Sequence, residues 1–247
     1  LVEDNYMNII LIKKIVRFAG HRVQVAENGA EAIKLLENGR YDVVLLDLQM
    51  PVMDGFKTAT KIREMGLDVP VIAVTASATR EDLELCRQIG MNGFLSKPID
   101  INELERVIEK VIKANEFAVS DRVKIKDGPA AAGELLVFNK KKLFENMSGI
   151  DELIKDSLEL FMKYSPQNIE NIQRSMEAND PEKLKFYSHS MKSTARGVGA
   201  ETIADVLYRL EKSAAHGKID ESAPELVASL QGEYNKFIEE LKKEGLF

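Results

Sequence analysis

The 247-residue sequence predicts two domains of different class, an α/β unit with a doubly wound parallel sheet followed by an all-α antiparallel four-helix bundle. Three observations carry this. The first half alternates short apolar runs with amphipathic segments, the pattern of βαβ units. Its most apolar run, Val43-Val44-Leu45-Leu46, ends in Asp47. From residue 137 the strand-like runs vanish and apolar residues recur at helical spacing through four long segments.

In the first half the spacing predicts helices over about 5–18, 28–38, 56–66, 79–90 and 100–115, and strands over 22–26, 42–47, 70–75 and 93–96, with Leu1-Val2 the end of a further strand. The sheet is therefore expected to have five strands, its first one clipped to two apolar residues. We read residue 1 as a product of processing or excision and not as a native start. The Val/Leu run before Asp47 is continuous, as in a strand covered on both faces, and open α/β sheets place their ligands at the carboxyl ends of strands. Asp47 stands at such an end.

Three other strand ends offer matching chemistry. Glu3 and Asp4 follow Leu1-Val2; with Asp47 they form an acid group suited to a hard divalent cation, for which Mg²⁺ is the natural choice. Val71-Ile72-Ala73-Val74 ends in Thr75, a hydroxyl, followed by the small Ala76. Gly93-Phe94-Leu95-Ser96 ends in Lys97, an ammonium, followed by Pro98. Acids for a metal, a nucleophilic carboxylate, a hydroxyl and a cation are the parts of phosphoryl transfer by positioning and charge neutralisation. A lone acid after a strand is more often a helix cap; the full set reverses that reading for Asp47.

On Glu3, Asp4, Asp47, Met50-Pro51, Gly55, Thr75, Phe94 and Lys97-Pro98, residues 1 to about 115 resemble a response-regulator receiver domain. The resemblance implies a flavodoxin-like fold with strand order 2-1-3-4-5, Asp47 as phosphoacceptor, and Mg²⁺ held by Asp4, Asp47 and the backbone carbonyl of Gln49. It further implies phosphoryl contacts from Thr75 and Lys97, a cis Lys97-Pro98 bond, a conformational switch at Thr75 and Phe94, and tuning of the phosphoaspartate lifetime by Gln49 and Ser77. The fourth helix, fifth strand and fifth helix would form a partner surface sensing Asp47.

Composition narrows the function classes. A net charge of −6 argues against a role on nucleic acid. The single cysteine, Cys86, excludes an internal disulfide and fits a reducing, cytoplasmic setting. No apolar run approaches the length needed to cross a bilayer, so direct membrane insertion is not expected and any anchoring is left to upstream regions of a longer parent. His21, between Gly20 and Arg22, reads as a turn residue.

Residues 1–116 are assigned to the first domain, 117–136 to a linker and 137–247 to the second. The linker holds turn residues without helical period; if flexible it would span about 25 Å, and Val123/Ile125 offer the alternative of an edge strand. In the second domain a short lead helix precedes segments at about 150–177, 181–197, 201–216 and 220–244. Asn179-Asp180-Pro181 marks a stop and restart, His216-Gly217 a helix end, and Pro166 a bend or break.

The second chemical signal is Phe186-Tyr187-Ser188-His189-Ser190-Met191-Lys192-Ser193-Thr194-Ala195-Arg196. Leu184, Tyr187, Met191, Ala195 and Val198 form the buried stripe. Lys185, His189, Lys192 and Arg196, at offsets of four, three and four, are expected to share an exposed basic stripe. Cations around a solvated histidine would stabilise a phosphoryl group on its ring nitrogen and attract an acidic pocket. Ser193, Gly197 and Gly199 are small enough to let another domain approach.

His189-Ser190-Met191-Lys192-Ser193, continuing to Gly199-Ala200, resembles the histidine phosphotransfer (HPt) motif over roughly 137–245, with Ser193 where many members carry glycine. The resemblance implies phosphorylation of His189 and an electrostatic role for Lys192. A receiver followed by an HPt domain resembles the C-terminal end of a hybrid sensor histidine kinase in a two-component phosphorelay. The partners implied are a histidine kinase domain upstream and the receiver of a downstream response regulator, and exchange between Asp47 and His189 within the chain stays open. The alternative is a free-standing relay or regulatory scaffold protein. No glycine-rich phosphate loop and no asparagine and glycine boxes are present, so direct use of ATP is not expected.

Overall fold

The computed structural model describes residues 1–50, 53–75, 79–114, 117–120, 135–214 and 217–247. Pro51, Ala76, Ser77, the Val123/Ile125 alternation and His216 therefore lie outside the described residues. The chain divides into two compact units, Leu1–Ala131 and Ala132–Phe247.

In the first unit, strands β1 (Val44–Asp47), β2 (Val71–Thr75), β3 (Gly93–Ser96) and β4 (Ala118–Val119) form a parallel sheet in that order. Every residue of β1 and β2 is buried, as their unbroken apolar character requires of strands covered on both sides. Helices α1 (Tyr6–Phe18), α2 (Gly29–Asn38), α3 (Gly55–Glu64) and α4 (Arg80–Ile89) fall close to their expected bounds, and α5 (Ile101–Glu109) starts where expected. Their contacts form two groups: α1 packs on α5, while α2, α3 and α4 pack in succession. Each begins at a side-chain cap: Asn5, Asn28, Asp54, Thr79 and Asp100 accept first-turn backbone N–H groups.

Two expectations about the sheet are corrected. Among the described residues it has four strands and not five, and 22–26 contributes only a bridge, Val2 to Ala26, with Val2 also bridging Leu46. Among the described residues the backbone bonds that reach 22–26 come from Leu1 and Glu3, namely the Leu1 ammonium to Gln24 O at 2.9 Å, Ala26 N–H to Leu1 O at 2.9 Å and Glu3 N–H to Ala26 O at 3.1 Å, too few for a ladder. The second correction is β4, at the far edge, within the stretch read as linker. Helix α5 does not run to 115 as an α-helix either; a single π turn, Lys110–Ala114, ends it.

The second unit is helical: α6 (Lys140–Asn146), α7 (Asp151–Glu177), α8 (Pro181–Gly197), α9 (Glu201–Ser213) and α10 (Ala223–Lys243). Contacts run α7 to α8, α8 to α9, α9 to α10 and α10 back to α7 around a core that includes Phe161, Ile172, Leu184, Met191, Leu207, Leu210 and Phe237. Pro166 does not break α7. It lacks the N–H that would reach the Met162 carbonyl, and the Tyr234 hydroxyl donates to that oxygen at 3.1 Å instead. Tyr234→Phe is expected to cost about 1 kcal/mol by orphaning it, measurable as a lower urea midpoint for the second unit.

Helix α6 secures the end of α8. The Asn146 side chain donates to the carbonyls of Arg196 and Gly197 at 3.1 and 3.0 Å, capping the last turn of α8 together with Gly199 N–H, which reaches Arg196 O at 3.3 Å. The Gly199 carbonyl accepts from Asn139 N–H at 2.8 Å, and a Cβ on Gly199 would lie 2.5 Å from the Asn139 oxygen. Gly199 is thus small because the same unit packs on it, a correction to its reading as an approach surface for another domain.

Candidate functional site

The parallel register brings the expected strand ends together in the first unit. Asp47 closes β1 opposite Val74, Thr75 closes β2 opposite Ser96, and Lys97 follows β3, its N–H donating to Thr75 O at 2.7 Å. Beside β1, Val2 accepts from Asp47 N–H at 3.0 Å, which sets Glu3 and Asp4 alongside. Carboxylate oxygens of Glu3, Asp4 and Asp47 all lie within 4.8 Å of one another. Gly55 starts α3 against the strand end, where a Cβ would stand 2.3 Å from Asp47 O, so any larger residue would push the helix off Asp47.

Lys97 sits at the centre of this acid group. Its Nζ lies 2.5 Å from Asp47 Oδ2 and 2.6 Å from Glu3 Oε2, with the lysine and both acids almost fully buried. Burial pushes the Glu3 carboxyl up to about 7, opposed by Lys97 and reinforced by Asp47. Burial also works against the Lys97 ammonium, but the two carboxylates outweigh it and hold its pKa above the ordinary value. Asn8 donates to Glu3 Oε1 at 2.8 Å and Gln49 N–H to Asp47 Oδ1 at 3.1 Å, which fixes both carboxylates. Three convergent carboxylates offer the oxygen donor set that Mg²⁺ favours, and Glu3 Oε2, buried and without a hydrogen bond of good geometry, is free to take a cation in place of Lys97. Thr75 and Phe94 are buried, and the Lys97-Pro98 bond is cis.

The second unit corrects the exposed basic stripe. Only Lys185 of the four is exposed; Arg196 is partly buried and Lys192 is 3 % exposed. The reason is a residue that the sequence reading missed, Glu211 on α9. His189 Nδ1 lies 3.0 Å from Glu211 Oε1, and Lys192 Nζ contacts Glu211 Oε2. The signal was present: Glu211 falls four residues after Leu207 and seven after Ala204, on the apolar stripe of α9, where an acid needs a buried partner.

Glu211 also decides the histidine tautomer. Burial works against its ionised form, but the His189 hydrogen bond and the Lys192 charge more than offset this and hold the carboxyl at about 2. An ionised carboxylate can only accept, so Nδ1 carries the proton and donates to it. Lys192 Nζ, 3.4 Å from the same Nδ1, is a donor as well and cannot share that nitrogen's proton; the shorter contact to the carboxylate prevails. In the neutral ring this tautomer leaves the lone pair on Nε2, on a side chain that is 19 % exposed.

Family models decide what these two sites belong to. That of the response regulator receiver domain matches residues 1–109, and that of the Hpt domain matches residues 156–244. The chain is a receiver domain followed by an Hpt domain. The sensor histidine kinase GacS of Pseudomonas protegens is 27% identical over 233 residues, covering 89% of this chain and 25% of that protein. The hybrid signal transduction histidine kinase B of Dictyostelium discoideum is 38% identical over 117 residues, 42% of this chain and 6% of that protein. Among solved structures, the receiver domain of sensor histidine kinase PA1611 from Pseudomonas aeruginosa, with magnesium in its active-site cleft, is 39% identical with a TM-score of 0.41, covering 45% of this chain and 93% of that one. The chain spans a quarter or less of the curated relatives it matches. No helix among the described residues is long and apolar enough to cross a membrane.

Proposed function

We propose that this chain is a phosphorelay segment in which receiver Asp47 accepts a phosphoryl group from a histidine kinase and Hpt His189 passes one to or from a receiver aspartate. The arrangement of Glu3, Asp4 and Asp47 around the Lys97 ammonium carries the reading: a carboxylate poised beside a metal-binding acid group and a buried cation has the parts needed to receive phosphate.

In the receiver, an Asp47 carboxylate oxygen attacks the phosphorus of a phosphohistidine. The new O–P bond forms as the P–N bond breaks, and the imidazole leaves with the bonding electrons. Glu3, Asp4, Asp47 and the Gln49 carbonyl would hold Mg²⁺, which when bound neutralises charge on the transferring oxygens. Lys97 moves its contacts from the carboxylates to the phosphoryl group, joined by the Thr75 hydroxyl, and Phe94 follows Thr75 as the switch. In the Hpt domain, taken as an antiparallel bundle of α7 to α10, the His189 Nε2 lone pair attacks phosphorus of an acyl phosphate and the carboxylate departs. Glu211 then stabilises the positive charge that develops on the ring, and Lys192 balances Glu211.

The domains read as a receiver over 1–116 extended by the Ala118–Val119 strand, a linker from there to 136 and an Hpt domain over 137–247, the C-terminal portion of a hybrid kinase whose upstream kinase domain and downstream response regulator are its partners. The test is to incubate the chain with a small-molecule phosphoryl donor and Mg²⁺ and to map the phosphate by peptide mass over time. Label on Asp47, dependent on Mg²⁺, is expected; label that then reaches His189 would establish internal relay. Absence of label on Asp47 would overturn the receiver reading.

The raised Glu3 carboxyl gives a second expectation. Metal binding needs Glu3 ionised, so Mg²⁺ affinity should rise as pH increases through about 7 and binding should release a proton near and below that value. Calorimetric titration in two buffers of different ionisation enthalpy measures this directly.

A further inference from the structure

We propose that Asn8 is a positioning residue of the receiver site, whose side-chain amide fixes one oxygen of the Glu3 carboxylate so that the other faces the place a Mg²⁺ ion would take. The proposal rests on the reading of Glu3, Asp4 and Asp47 as the metal-binding acids and adds the residue that orients the most deeply buried of them.

Asn8 is anomalous where it stands. It lies four and seven residues before Ile12 and Ile15, on the buried stripe of α1, where an apolar side chain would be expected, and it is 7 % exposed. A polar group buried in such a place needs a partner. That partner is Glu3, whose Oε1 accepts from Asn8 Nδ2 at 2.8 Å. An ionised carboxylate only accepts, so the amide must present its nitrogen.

The two oxygens of Glu3 meet different surroundings. Oε1 faces the first turn of α1, held by the Asn8 amide and, at a longer 3.4 Å, by Asn5 N–H. The Asn5 side-chain oxygen accepts from the N–H groups of Met7 and Asn8, at 2.9 and 3.2 Å, which caps the helix and fixes the turn that carries Asn8. Oε2 faces the Lys97 ammonium at 2.6 Å, a contact without good hydrogen-bond geometry. This asymmetry makes Oε2 the oxygen that can exchange Lys97 for a metal ion. Without the Asn8 amide, Glu3 is free to turn about its terminal bond and bring both oxygens toward Lys97, and a metal would then have to draw the whole carboxylate away. Hydrogen-bond partners of ligating groups are typically worth about 10–100-fold in metal affinity.

Mg²⁺ titration of the full chain, followed by the amide resonances of Asp47 and Gln49, tests this at a pH well above the Glu3 value of about 7, so that protonation does not enter. Asn8→Leu, similar in size but without a donor, is expected to weaken Mg²⁺ binding about tenfold. In a Glu3→Gln background the same substitution is expected to change nothing, because the carboxylate it acts through is gone; independent effects would instead add. Phosphoryl uptake by Asp47 gives a second readout: in Asn8→Leu the half-saturating Mg²⁺ concentration rises about tenfold, while the rate at saturating Mg²⁺ matches wild type. Unchanged Mg²⁺ affinity in Asn8→Leu, or an equal loss with Glu3 and with Glu3→Gln, overturns the assignment. Asn8→Ser, too short to reach Glu3, takes the place of the leucine variant throughout if that variant fails to fold. Mg²⁺ that binds without label reaching Asp47 counts against the phosphoacceptor, and the Asn8 assignment is then judged on Mg²⁺ affinity alone. A wild-type chain that binds no Mg²⁺ overturns the acid group as a metal site and the Asn8 assignment with it.

Discussion

Asp47→Ala is expected to reduce phosphoryl uptake by the receiver to background while leaving the unit folded. The chemistry is lost because the variant has no carboxylate at the end of β1 and no third oxygen donor beside Glu3 and Asp4. The fold persists because the cation that Asp47 pairs with keeps a second anion: Lys97 Nζ remains 2.6 Å from Glu3 Oε2. Orphaning a buried ion completely costs roughly 3–5 kcal/mol. Here one of two counter-ions goes and a repulsion between carboxylates goes with it, so we expect about 1–2 kcal/mol, well under that orphaning cost. The Glu3 carboxyl should also titrate below about 7, since Asp47 is one of the groups that raises it. Mass mapping, urea unfolding and NMR titration of Glu3 check the three parts. A variant that unfolds outright would mean that Glu3 does not hold Lys97, and the site's electrostatics would need revision.

The sequence carried the receiver site further than the Hpt site, and the difference is physical. Asp47, Thr75 and Lys97 end apolar runs, and a parallel sheet brings all its carboxyl ends to one edge, so strand ends far apart in sequence could be assembled without coordinates. His189 and Lys192 lie on one helix, and helical spacing placed them together correctly. It could not place α9 against them. Without Glu211 in view, three cations and a histidine at offsets of four, three and four read as a solvated face, whereas the partly buried acid draws Lys192 inward. The strand at Ala118–Val119 escaped for a similar reason. Two residues have no periodicity to read, and their pairing depends on the open edge of β3 and on Arg106 and Arg87. Strand 22–26 failed in the opposite sense: its spacing reads as a strand, but the pairing it finds among the described residues is the single bridge of Ala26 to Val2.

Glu211→Ala is expected to have the largest effect in the Hpt domain, on stability and on chemistry together. The variant leaves the Lys192 ammonium, its side chain 4 % exposed, without the carboxylate that balances it. The expected cost is about 3–5 kcal/mol. His189 Nδ1 loses its acceptor at the same time, so the ring is free to adopt the tautomer in which Nε2 carries the proton and has no lone pair for phosphorus. Glu211→Gln separates the two consequences. The amide oxygen still accepts from Nδ1–H and keeps the tautomer, but it carries no charge for Lys192. We therefore expect the glutamine variant to be destabilised like the alanine variant yet to retain more His189 phosphorylation per folded molecule. The dependence on pH follows from the sign of the Glu211 shift. Its folded value, about 2, lies below the ordinary 4.5, so ionised Glu211 stabilises the fold fully above about 4.5 and progressively less as pH falls toward 2. A displacement of that size corresponds to about 3 kcal/mol. The stability gap between wild type and Glu211→Gln should accordingly be wide at pH 6 and close between about pH 4.5 and 2, where the protonated acid comes to resemble the amide. A gap that stays constant across that window would mean that the ionised carboxylate is not what holds His189 and Lys192 in place.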